Sequence, residues 1–131
     1  MATDNFAHTL ATRVVVGLAA GAAISTVDNV AFAGEVSPIV VVALLLASTG
    51  IAGAFWGRRS WVAAILTAGC VPSAHLIKHL LGLPDTLHPN TYASIFKLAG
   101  FSLAVVAVGT ACGIFVRNLA DTVGSSGGSR A

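Results

Sequence analysis

The chain has 131 residues, of which 56% are hydrophobic and 9% charged, and its mean hydropathy is +0.87. A soluble domain carries about one quarter charged residues, so this balance excludes an ordinary water-soluble fold and points to the lipid bilayer as the solvent. The formal net charge is +2, and the seven Lys and Arg never run longer than Arg58-Arg59, which excludes a nucleic-acid footprint.

At this length there is room for one domain, and four spans of about 20 residues would use most of it, leaving no soluble catalytic module. The expected fold is therefore an all-α integral membrane protein, with four transmembrane helices in an up-down bundle. Residues 1–11 read as a polar leader with Asp4, Asn5 and His8. Arg13 and the apolar run after it, ending in Ala31-Phe32-Ala33 before Gly34, resemble a secretory signal with a small-residue cleavage site. The competing reading, taken here, is a retained first span over 12–33.

Ser37-Pro38 suits the start of a second span over 38–57, with Ser as N-cap and Pro at the first helical position. Gly57-Arg58-Arg59 stops it, and Ser60 is the expected N-cap of a third span over 61–82. That span is expected to kink at Pro72, whose ring removes one backbone bond, with Ser73 placed to satisfy part of the freed backbone. Gly82, Pro84, Asp85, Pro89 and Asn90 predict a tight polar turn, and Asn90 or Thr91 caps a fourth span over 91–117. The tail, 118–131, reads as a flexible, low-complexity end.

Arg13, Arg58, Arg59, Arg117 and Arg130 fall on one side of this topology, and Asp28, Glu35 and Asp85 on or near the other. The positive-inside rule then puts both termini in the cytoplasm of a bacterial-type inner or plasma membrane. Trp56 and Trp61 mark the inner interface, Phe32 and Tyr92 the outer one. Cys70 and Cys112 sit at depths that differ by roughly 9 Å, too far apart for a disulfide, so both are expected as free thiols.

Depth also groups the polar residues. Asp28 stands 15 positions after Arg13 and His75 stands 16 after Arg59, so both lie roughly 22–24 Å from the inner surface. Lys78, His79 and Lys97 fall at about the outer boundary by the same count. Charged groups at that depth need a partner, a cavity or the headgroups. Asp28, Asn29, His75 and His79 are therefore the candidate ion or solute site, with His75, Lys78 and Lys97 as partners for Asp28. The bland alternative is a salt bridge that locks the first helix to the third or fourth. Lys78 and Lys97 are candidates for headgroup or anion contact, against simple snorkelling of the ammonium groups.

His75 and His79, at i and i+4, share a helix face and are candidate metal ligands with His88. No Glu follows His75 as in the zinc-protease helix, and the competing reading has His75 bonding a neighbouring helix. Haem ligation would need His75 and its copy in a symmetric oligomer. No cofactor is strongly implied. Ser73 and His75, at i and i+2, do not face each other, and Asp85 with His88 suits a stabilised turn, so no enzyme motif emerges. Gly17/Gly21, Gly53/Gly57 and Gly109/Gly113 each read G-x-x-x-G, which favours close packing within the chain.

The function expected from these features is a small, homo-oligomeric, multi-pass channel or transporter for an ion or small solute. Its rival is a non-catalytic lipid-binding or accessory subunit of a larger membrane complex. The implied partners are membrane lipids, further copies of the chain and, for the rival, other subunits.

Overall fold

The computed structural model describes residues 2–30, 38–85 and 91–127. Ala31-Phe32-Ala33, Glu35, Ser37, His88, Pro89, Asn90 and Arg130, each given a role above, lie outside them. The described residues form α1 (Ala2–Val30), α2 (Pro38–Trp56), a 3-10 turn (Gly57–Ser60), α3 (Trp61–Leu81) and α4 (Tyr92–Gly127), with no strand among them. Three stretches, Thr9–Asn29, Pro38–Leu81 and Tyr92–Gly127, are long and apolar enough to cross a membrane. The middle stretch, at 44 residues, contains both α2 and α3.

Small residues set how these helices meet. Gly17 of α1 lies against Ala63 of α3, and Gly21 against Thr67 and Cys70, so α1 and α3 run in the same direction. Gly50 of α2 lies against Gly109 of α4, and Gly53 against Thr110 and Gly113, so these two also run together. Trp61 shares a wall with Ala111 and Phe115, whereas Pro72 and Leu76 share one with Tyr92, Ile95 and Ala99; α3 and α4 are thus antiparallel. Successive helices alternate in direction.

The contacts are close enough to exclude a methyl group. A Cβ at Gly17 would lie 2.7 Å from the Ala63 carbonyl oxygen, and one at Gly53 would lie 2.6 Å from that of Thr110. The G-x-x-x-G pairs are therefore used inside the chain, as small-residue contacts between apolar helices are. The Thr67 hydroxyl reinforces the first contact, standing 3.1 Å from the Gly17 carbonyl and 2.8 Å from its own Ala63 carbonyl. Between the pairs, Ile24, Leu45, Ala64, Ala68, Val71 and Val106 form the buried core, while Ile39, Phe55, Phe96 and Phe115 point outward.

Ser60 does not cap α3 through its side chain. Its backbone is already helical and its hydroxyl donates to Gly57 O at 2.7 Å, because Gly57, at φ +58°, turns the chain straight into a 3-10 turn. Helix α3 continues through Pro72. The ring strips the bond from the Ala68 carbonyl, whereas the Ser73 hydroxyl bonds the next one, Gly69 O, at 2.6 Å.

Thr91 caps α4: its hydroxyl accepts from the Ser94 N–H at 3.3 Å and its carbonyl from the Ile95 N–H at 3.0 Å. Helices α1 and α4 both outrun the expected spans, α1 beginning at Ala2 instead of residue 12 and α4 continuing past Arg117 to Gly127. Residues 118–123 contain no Gly or Pro, Arg117 and Asp121 form an i, i+4 pair at 3.9 Å, and Thr122 bonds back to Asn118 O at 2.8 Å.

Candidate functional site

The polar residues converge at the end of the bundle away from the 3-10 turn. Because α1 and α3 run in parallel, the close approach at Gly17 and Gly21 is carried up both helices and brings Asp28 level with His75. His75 Nε2 lies 2.9 Å from Asp28 Oδ2. This pairing joins α1 to α3, as the depth count predicts.

The other side of the ring is held by a residue outside the predicted site. His75 Nδ1 stands 2.8 Å from both carboxylate oxygens of Asp85. Asp85 gets there through the end of α3. Gly82 takes the left-handed conformation at φ +66°, its N–H bonds His79 O at 3.3 Å, and the Leu83 N–H bonds Lys78 O at 2.9 Å. This double closure is the Schellman pattern, and Pro84 prevents the helix from resuming. The chain folds back and lays Asp85 against the turn of α3 that carries His75.

Lys78 completes the cluster. Its ammonium donates to Asn29 Oδ1 and lies 3.7 Å from Asp85 Oδ1, while the Asn29 amide donates to Ser25 O at 2.7 Å. The side chains of His75 and Asp85 are only 3% and 1% exposed, against 20% for Asp28 and 24% for Lys78. The centre of the cluster is thus enclosed, and its rim on α1 is open.

Two hydrogen bonds from one imidazole to two carboxylates require two protons. A neutral ring supplies one N–H, so the second proton resides on the ring or on a carboxyl group. With the ring protonated, Asp28, Asp85, His75 and Lys78 sum to zero; with one proton fewer, the sum is −1.

The remaining candidates lie elsewhere. His79 packs edge-on against Tyr92, with ring centroids 4.6 Å apart, and so ties α3 to the start of α4. Lys97 is exposed on α4, and among the described residues no hydrogen bond or ion pair joins it to the cluster. Among those residues, too, no group of three or more His, Cys, Asp and Glu could hold a metal ion. Both ring nitrogens of His75 already face carboxylates. Cys70 and Cys112 are free thiols.

Asp85 lies beyond the reach of a depth count along α3. Its signal is Gly82-Leu83-Pro84, a helix stop that reverses the chain, with an acidic residue next in line. Comparisons with protein-family models, with curated proteins and with solved structures found no match to this chain.

Proposed function

We propose that the chain crosses a bacterial-type inner or plasma membrane four times, with both termini cytoplasmic, and serves as a small oligomeric channel or transporter for an ion or small solute. The observation that carries this reading is His75, 3% exposed and held between Asp28 at 2.9 Å and Asp85 at 2.8 Å. Ionisable groups at membrane depth are costly, and a linked His and carboxylate chain is the arrangement proton relays use. In this reading the cluster takes up and releases one proton, and the resulting unit change in charge biases how α1 sits on α3. Pro72, one turn before His75, is the hinge in this reading, because its ring leaves α3 one backbone bond short there. The helices pack too closely to leave a wide path within one copy, so conduction runs between copies around an axis.

The test is flux in proteoliposomes under an imposed pH or ion gradient. Asp28→Asn and His75→Gln keep the size of each side chain and remove its proton chemistry. Both abolish flux while expression and oligomer size stay unchanged; flux equal to that of the unsubstituted protein discards the reading. The second reading is an accessory subunit without transport, and it is favoured by the engagement of both ring nitrogens, which is what a static tie between α1, α3 and the following loop requires. That reading predicts no flux, and a partner subunit recovered on native purification.

A further inference from the structure

At the opposite end of the bundle a cavity of about 490 Å³ is lined by Arg13 of α1, Arg58 and Arg59 of the 3-10 turn, and Arg117 of α4, together with Thr9 and Asn118. No Asp or Glu lines it among the described residues. The sequence reads these arginines as topology markers, which need only reach the headgroup region. Arg13 does more than that. It is 4% exposed, and its buried Nε has no hydrogen-bond partner among the described residues. A buried guanidinium N–H without an acceptor calls for one, and an anion suits it because burying a charge is costly unless it is paired. Arg117 is braced by its Nη1 bond to Phe55 O at 2.6 Å. The two arginines of the turn are exposed and free to close over a ligand.

The apolar side of this cavity is formed by Phe55, Trp56 and Ile114. Phe55 and Trp56 also line a second cavity of about 140 Å³, together with Val16, Ser48, Ile51 and Ala52. A cluster of guanidinium donors thus borders an apolar groove, with Phe55 and Trp56 as their shared wall. Guanidinium groups match phosphate oxygens in bidentate geometry, and a free phosphate ion would have no use for the groove.

We propose that this is a binding site for an anionic phospholipid, with the phosphodiester headgroup held among Arg13, Arg58, Arg59 and Arg117 and an acyl chain along Phe55 and Val16. It rests on the membrane-spanning part of the proposed function and is independent of transport. Each arginine near an anionic headgroup strengthens binding about fivefold.

The full-length protein, purified in a neutral detergent, is titrated with dimyristoyl phosphatidylglycerol or phosphatidylcholine and read by native mass spectrometry. The phosphatidylglycerol adduct dominates by about tenfold or more, Arg13→Gln weakens it about fivefold, and the double variant Arg58→Gln/Arg59→Gln weakens it further. His75→Gln leaves the preference intact. Equal binding of the two lipids overturns the proposal, as does a preference that survives both arginine variants. Should Arg13→Gln fail to fold, the exposed Arg58/Arg59 pair carries the test. Displacement of the lipid by millimolar inorganic phosphate reassigns the site to a free anion and also overturns it. A chain that stays soluble without detergent fails the membrane reading itself, which is a separate outcome.

Discussion

Substituting His75 by Ala removes the one group that separates two carboxylates. Asp85, with its side chain 1% exposed, is left without its imidazole partner, while Asp28, at 20% exposed, retains some access to solvent. Removing one partner of a buried ion pair costs about 3–5 kcal/mol, because the remaining charge stays desolvated. Two features place this case at the lower end. The Lys78 ammonium stays 3.7 Å from Asp85 Oδ1, and the open side of Asp28 admits water. The expected loss is about 3 kcal/mol, measured by reversible SDS unfolding in mixed micelles and followed by far-ultraviolet circular dichroism. Adding Asp85→Asn to His75→Ala removes the carboxylate that the imidazole had neutralised and recovers at least half of that loss, since deleting both partners costs less than deleting one. A loss under about 1 kcal/mol, the range of an exposed ion pair, refutes the claim that the cluster is enclosed. Failure of Asp85→Asn to restore stability refutes the assignment of the cost to that carboxylate.

Three further outcomes follow from the packing. Gly53→Ala places a Cβ 2.6 Å from the Thr110 carbonyl and forces α2 and α4 apart at a cost of about 2 kcal/mol, whereas Gly100→Ala, with nothing within 4 Å, gains up to about 1 kcal/mol from helix propensity; the same SDS titration compares them. Thr91→Ala removes the cap of α4 and costs about 1 kcal/mol, seen as faster amide exchange at Ser94 and Ile95. Maleimide labels Cys112, which is exposed, faster than Cys70 in native detergent, and both label fully in SDS without reductant; an SDS sample that needs reductant contradicts the free thiols.

The sequence is most informative where a physical rule has a fixed ruler. A rise of about 1.5 Å per residue, counted from Arg13 and Arg59, is enough to set Asp28 and His75 at one level. The pairing between them follows because α1 and α3 run in parallel. Asp85 escapes that ruler. It reaches His75 by folding back from Gly82, and chain reversal has no periodicity to count along. The burial of Arg13 is hidden for a different reason. Its position along α1 suits an interface anchor, but whether its guanidinium faces lipid or the interior depends on the rotation of α1 against its neighbours, which the close contact at Gly17 sets. Helix α4 runs beyond Arg117, the expected end of its span, because a flanking arginine marks where a helix meets the interface and not where it ends; Arg117, Asp121 and Thr122 sustain it beyond that point.

The central claim is that the two ring nitrogens of His75 are each held by a carboxylate, one from α1 and one from the turn after α3. Solid-state NMR in lipid bilayers reads this directly, through dipolar recoupling between the ring 15N atoms and the side-chain 13Cγ of aspartate, with His75→Gln identifying the His75 signals. Close contacts from Nε2 to Asp28 and from Nδ1 to Asp85 are the predicted result. A ring nitrogen with no carboxylate carbon in range contradicts the account.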